Sequence, residues 1–185
     1  MSPETEPAFS IRLARPEEYP ALGALTVEAY ASLPGMPTVA EQPEYYALLR
    51  DVEKRASKPS LRVFAAIDAS GEVLGSVDFI GDMGDYGSGG TAGAITDAAG
   101  IRLLAVTPAS RGRGTGKRLT QYCIDHARDI GRRRVVLHST RSMQTAWAMY
   151  ERLGFERFPE LDFKQGQLEV FGFALNLAGG SRLVT

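Results

Sequence analysis

Three glycines alternate with cations in Arg111-Gly112-Arg113-Gly114-Thr115-Gly116-Lys117, and this stretch sits between two runs of opposite character. Residues 101–106 before it are continuously apolar apart from Arg102, as in a strand buried on both faces. After it, Leu119, Tyr122, Cys123, Ala127 and Ile130 recur at helical spacing, and Gly131 is placed to stop the helix. A strand therefore hands over to a helix through a turn of glycines. Without Cβ atoms, successive N–H groups can point into one concavity, and the helix N-terminus behind them adds partial positive charge. The ligand implied is a phosphate or a pyrophosphate.

Two common phosphate motifs do not fit. A P-loop requires Gly-x-x-x-x-Gly-Lys-Ser/Thr; here Arg111 occupies the first glycine position and Arg118 replaces the hydroxyl residue after Gly116-Lys117. A dinucleotide fingerprint requires Gly-x-Gly-x-x-Gly, whereas Gly112, Gly114 and Gly116 are spaced Gly-x-Gly-x-Gly, and the preceding strand is not the first of a βαβ unit. The single Arg-Gly-Arg-Gly lies inside folded structure rather than in a tail, so nucleic acid is not the expected partner.

Taken in order, the chain opens with residues 1–8, acidic and proline-bearing, read as a disordered lead. Residues 9–14 alternate as a strand does. Arg15-Pro16-Glu17-Glu18 starts a helix over 17–31 with Leu22, Leu25 and Ala29 inward, and a second helix over 43–56 is expected to bury Tyr45, Leu48, Leu49 and Val52. Residues 61–67 and 73–80 read as antiparallel strands joined by Asp68-Ala69-Ser70-Gly71-Glu72. Residues 81–100 are glycine-dense and aperiodic, either a plain hairpin connection or a lid facing substrate. After the glycine turn and its helix, residues 134–138 form a strand. A helix capped by Thr140 or Ser142 runs to Leu153 with Gly154 behind it, and residues 155–163 and 168–177 form two closing strands. The sum is one domain over 9–178, a mixed α/β sandwich around one sheet, with a tail at 179–185.

Bulk properties narrow the class. With 185 residues and a formal net charge of −1, the chain offers no broad attraction to nucleic acid or to anionic membranes. A lone cysteine, Cys123, excludes an internal disulfide and a multi-cysteine zinc site, and fits a reducing, cytoplasmic setting. No apolar run approaches the roughly 18 residues of a membrane span.

The turn, read as Arg111-x-x-Gly114-x-Gly116 after Leu103-Leu104-Ala105-Val106-x-Pro108, resembles the acyl-CoA signature Arg/Gln-x-x-Gly-x-Gly/Ala of the GNAT superfamily of N-acyltransferases. Downstream, Ala146-Trp147-Ala148-Met149-Tyr150-Glu151-Arg152-Leu153-Gly154-Phe155 is similar to that family's Ala-x-x-x-Tyr-Glu-x-x-Gly-Phe helix end. With the element order, the resemblance covers residues 9–177. It implies an α+β fold with a mostly antiparallel central sheet of about seven strands, about four helices, and a splay between strands 4 and 5.

It also implies roles. Acetyl-CoA would be the co-substrate and no metal is expected. Backbone of Leu104, Ala105 and Val106 would pair with the pantetheine arm, with the Val106 amide as oxyanion donor. Arg111, Gly112, Arg113, Gly114, Thr115, Gly116 and Lys117 would hold the phosphates, Arg118 being a further candidate cation. Tyr150 would face the CoA sulfur as general acid, although Met143, Ala146, Trp147, Tyr150 and Leu153 also describe a buried helical stripe. Many relatives have Asn where this chain has Met143, so Thr140 or Ser142 is the expected substitute contact. Asp97, Glu160, Asp162 and His138 are the candidates for the acceptor or base side. The expected acceptor is a small-molecule, peptide or protein amine. Family members often dimerise, which extends to a homodimer here. A catalytically silent CoA-binding module and a donor other than acetyl-CoA stay open as alternatives.

Overall fold

The computed structural model describes residues 9–177; the expected lead, and the tail with residue 178, lie outside the described residues. Its eight strands are β1 (Phe9–Leu13), β2 (Leu61–Asp68), β3 (Val73–Ile80), β4 (Ala98–Val106), β5 (Arg134–Ser139), β6 (Glu156–Arg157), β7 (Phe163–Gln165) and β8 (Leu168–Asn176). The five helices are α1 (Tyr19–Ala31), α2 (Pro43–Arg50), α3 (Val52–Ala56), α4 (Thr115–Asp129) and α5 (Gln144–Arg152). Sheet order is β1-β2-β3-β4-β5-β8-β6, with β7 on β8. Every pairing is antiparallel except the parallel pair β4–β5.

That parallel pair organises the molecule. It is in register only from Ala98↔Arg134 to Ile101↔Leu137, although β4 continues to Val106 and β5 to Ser139. Beyond Ile101 the strands part, as the resemblance implies. On the other edge of β4, Arg102 pairs with Asp78 and Ala105 with Ser76, so β4 spends three steps where β3 spends two. The extra residue is a β-bulge at Leu103, whose φ of 53° is left-handed, at a cost of roughly 1–2 kcal/mol for a non-glycine. The bulge turns Arg102 and Leu103 to the same face. Arg102 lies over Tyr86, and Leu103 packs with Tyr46 and Leu49 of α2.

The two sheet faces carry separate cores. One packs Phe79, Ile101 and Leu137 against Leu119, Cys123 and Ala127 of α4 and Tyr150 of α5. The other packs Val63, Ile80 and Val136 against Leu22 of α1, Val52 of α3, and Met83, Tyr86 and Leu161 from loops.

Several local expectations change. The helix expected over 43–56 is two helices, because the Asp51 carboxylate accepts the Lys54 amide at 3.0 Å and so ends α2 while capping α3. Tyr46, not Leu48, faces inward; Leu48 is exposed. On α4, Tyr122 and Ile130 are exposed and Ile124 is buried in their stead. The strand expected over 155–163 shrinks to β6, since Pro159 starts a 3-10 turn (Pro159–Leu161) that lifts the chain off the sheet before β7. The segment 81–100 does join two antiparallel neighbours, and residues 98–100 already belong to β4. Its remainder is packed: Met83, Tyr86 and Ala92 are each at most 1% exposed, so it forms a wall. Gly100 is what admits that wall, because a Cβ there would meet the Tyr86 ring at 2.5 Å.

Candidate active site

The glycine turn lies where the sequence puts it, between β4 and α4. Gly112 and Gly114 have φ of 75° and 80°, values that demand glycine, and Gly114 is the N-cap of α4. Arg118 N–H is the first helical donor, to the Gly114 carbonyl at 3.0 Å. The amides of Gly112, Gly114, Thr115, Gly116 and Lys117 donate to no acceptor among the described residues. Five unengaged donors at a helix N-terminus fit an anion such as a pyrophosphate.

The side chains divide differently from the sequence expectation. Arg111, Arg113 and Lys117 are exposed and take part in no ion pair among the described residues. Arg118 turns away: its guanidinium donates to the Phe9 carbonyl at 3.3 Å and lies 4.1 Å from the Phe9 ring centre. Thr115 is buried with its methyl toward Gly75, leaving only its amide for the turn.

The turn is joined to the splay by Gly116. A Cβ there would stand 3.6 Å from Val106, 3.7 Å from Leu104 and 3.9 Å from the Met149 sulfur, so α4, β4 and α5 converge on this one position. The Thr107 amide donates to Leu74 on β3 at 2.9 Å, and Ala105 is paired to β3 as well. Strand alternation therefore directs the backbone of Leu104 and Val106 to the opposite edge, into the gap that β5 vacates.

Tyr150 stands on α5 with its ring 5.7 Å from that of Phe155 and only 6% of its surface exposed. Its hydroxyl has no protein hydrogen-bond partner among the described residues, yet it is not one of the sealed polar atoms. Burial pushes its phenol well above the usual range, and Tyr86 and Cys123 nearby add to this. Thr140 and Ser142, the expected substitutes at Met143, hydrogen-bond each other at 2.8 Å. Ser142 lines a groove of about 850 Å³ between the α1–α2 connection and β7–β8, bridged by Gln165 to Gln42 at 3.2 Å.

The acceptor-side candidates do not form one cluster. Asp97 precedes β4 at the closed end of the parallel pair, ion-paired with Arg134 at 3.2 Å, and the structure keeps it away from the splay. Glu160 is exposed in the 3-10 turn. Asp162 has both oxygens engaged, by the Gly172 amide at 2.7 Å and by Arg157 at 2.5 Å. His138 does lie beside the splay, but the Leu161 carbonyl accepts from its Nε2 at 2.9 Å, so its Nδ1 accepts from the Tyr86 hydroxyl at 2.9 Å. Burial lowers its pKa and keeps it neutral.

Arg102 and Tyr86 were not among the expected site residues. Arg102 donates to the Tyr86 carbonyl at 2.7 Å with its guanidinium 5.5 Å from that ring centre, at the point where β4 and β5 part. The available signal was a charged residue inside an otherwise apolar run.

The family model described as "Acetyltransferase (GNAT) family" matches residues 26–155. Over 115 residues the chain is 30% identical to the Escherichia coli (strain K12) protein named Uncharacterized N-acetyltransferase YjgM, covering 60% of this chain and 68% of that protein. The structure of a GCN5-related N-acetyltransferase from Kribbella flavida superposes with a TM-score of 0.63 at 25% identity, over 94% of this chain and 100% of that one. That of yncA, a putative acetyltransferase from Salmonella typhimurium solved with its cofactor acetyl-CoA, gives 0.62 at 20% identity, over 94% and 96%. With five unengaged amides between Gly112 and Lys117 opening beside the edge of β4 that β5 leaves unpaired, and the family model spanning most of the chain, this protein belongs to the GNAT family of acetyltransferases.

Proposed function

We propose that the protein transfers an acetyl group from acetyl-CoA to a primary amine by direct attack, both substrates being held together. The observation that carries the reading is the row of five unengaged amides at residues 112–117, continuous through Gly116 with the free edge of β4. The amides would hold the pyrophosphate, with Arg111, Arg113 and Lys117 balancing the remaining phosphate charge. The backbone of Leu104 and Val106, with Ala105 between them, would hold the extended arm as an added strand does. Acetyl-CoA supplies an activated acyl group as a thioester.

This chain's residues then have three tasks. The Val106 amide donates to the acyl oxygen as negative charge develops there. Tyr150, held as a phenol by its burial, donates its proton to the departing thiolate. The wall of Tyr86, His138 and Leu161 bounds the acceptor side. His138 and Asp162 have their acceptor atoms engaged and Glu160 is exposed, so the acceptor's ammonium gives up its proton to water and then attacks as the neutral amine. The rate should accordingly follow the acceptor's own pKa.

Thiol release from acetyl-CoA is measured against amines, amino acids, polyamines and peptides. Turnover with one class supports the reading. Tight CoA binding with no thiol release from any of them would favour a silent CoA-binding module, and release from a longer acyl-CoA alone would change the donor.

A further inference from the structure

Arg102 is half-buried and has no acidic partner among the described residues. Its strand neighbour Asp78 is the obvious counter-ion, but that carboxylate, 2% exposed, is already held by Arg55, Nε to Oδ2 at 2.7 Å and Nη2 to Oδ1 at 3.5 Å. Arg55 is saturated in turn by the Leu48 and Leu49 carbonyls at 3.1 and 2.6 Å. Two guanidiniums against one carboxylate leave one positive charge on this face. One Arg102 nitrogen, Nη1, is anchored on the Tyr86 carbonyl, which fixes the guanidinium and leaves its other N–H groups unengaged.

The other charged groups nearby are engaged: the Asp85 carboxylate accepts from the Ser60 amide at 3.0 Å and hydroxyl at 2.7 Å, and Lys58 donates to the Asp85 carbonyl at 3.1 Å. His138 is neutral, and Asp162 is paired with Arg157. Tyr30 and Tyr45 pack around Leu103, the next residue, and Arg102's charge opposes the rise that burial imposes on both phenols. Along β4, Arg102 stands four residues before Val106, but the bulge lets those four steps match only three of β3, Asp78 to Gly75, about 10 Å at 3.3 Å per residue. An arginine side chain and a short amino acid fill that span between them.

We propose that Arg102 binds a carboxylate carried by the acceptor, so that the acceptor is an amino acid, with its amine directed to Val106 and its acid to the guanidinium. A polyamine would meet an uncompensated cation there. The proposal rests on the acetyltransferase reading above.

The test compares kcat/KM for α- and ω-amino acids with those for their primary amides and for spermidine, in the wild type, Arg102→Gln and Arg102→Lys. A charge-assisted contact of this kind predicts a preference of about 10- to 100-fold for acid over amide. In Arg102→Gln the preference should vanish, mainly through KM, and Arg102→Lys should restore part of it. Amides or spermidine turned over as well as the acids, or an unchanged preference in Arg102→Gln, overturns the proposal. The wild-type comparison decides alone if Arg102→Gln fails to fold. Calorimetric CoA binding separates the two levels: no CoA binding overturns the acetyltransferase reading and this proposal with it, whereas CoA binding with turnover confined to amines lacking a carboxylate overturns this proposal alone.

Discussion

The Tyr86 hydroxyl lies 2.9 Å from Nδ1 of His138, while Nε2 of the same ring lies 2.9 Å from the Leu161 carbonyl oxygen. One imidazole thus ties the β3–β4 connection to the β6–β7 turn across the end of β5. Because a carbonyl only accepts, Nε2 carries the hydrogen and Nδ1 accepts from the phenol. This tautomer is the neutral one. Protonation would remove that acceptor and reverse the contact, Nδ1–H then donating to the phenol oxygen, at the cost of a charge in a buried site.

Stability should therefore depend on pH through His138. Burial depresses its folded pKa below the ordinary value of 6.5. The folded state then binds this proton less readily than the unfolded chain, so the contribution is full above about pH 6.5 and is lost as pH falls below that value toward the folded pKa. Thermal melts between pH 7.5 and 5.5 should show a decline in Tm that is shallower in His138→Gln. Equal slopes would remove His138 from the linkage.

Tyr150→Phe keeps the ring against Phe155 and removes only the hydroxyl. Loss of a general acid lowers turnover by about 10²-fold or more, with little change in melting temperature or in CoA binding. Since burial holds the phenol above its usual range, any alkaline limb of the rate profile below pH 10 should persist unchanged in the variant. Full turnover at saturating acetyl-CoA and amine would leave Tyr150 as a core residue only.

Gly114→Ala places a Cβ on a residue with φ of 80° where nothing stands within 4 Å, so its cost is conformational rather than steric. An alanine in this region is disfavoured by roughly 1–2 kcal/mol. The turn can relax from its left-handed geometry at that expense to its aligned amides, and CoA affinity should fall about tenfold or more by calorimetry. Gly114→Asn, which tolerates this conformation better, should lose less. The same ranking at Gly112, with φ of 75°, would confirm that backbone shape sets the affinity.

Arg55 and Asp78 form an ion pair with side chains 6% and 3% exposed. Burial raises the Asp78 pKa while Arg55 opposes that rise most directly, so truncating the arginine leaves the buried acid without its hydrogen-bonded partner, with only the charges of Arg102 and Lys58 nearby. Arg55→Met should lower unfolding free energy by about 3–5 kcal/mol, and Arg55→Met with Asp78→Leu should recover much of that loss. Denaturant unfolding of the two singles and the double measures the coupling. Additive losses would mean that the pair is not linked as the 2.7 Å contact implies.

Much of the framework was readable from local chemistry. The hairpin at Asp68–Glu72, the strand-to-helix turn with Gly112 and Gly114, and the helix end at Gly154 follow from residues whose backbone preferences act over a few positions. The break at Asp51 is hidden in the sequence because an N-cap inside an apolar periodicity resembles an ordinary polar helix position. The strand expected over 155–163 is cut to β6 because Pro159, which cannot donate to a ladder, starts a 3-10 turn inside an alternating run.

The sequence by itself determined the turn to which the acyl donor is assigned under the proposed function. Glycine spacing, cations and a following helix start are contiguous, and an anion cradle needs only contiguous backbone. The acceptor side was decided by tertiary structure. Asp97 lies four residues before Ile101 in the chain, yet the direction of the parallel pair puts it at the closed end. Arg102 reads as an isolated charge in a strand until the bulge at Leu103 and the packing of Tyr86 on Gly100 bring it to the open end. Whether Asp78 could neutralise it depended on Arg55, 23 residues away in sequence and 2.7 Å away in space. Such facts arise from contacts between distant segments, and no local propensity encodes them.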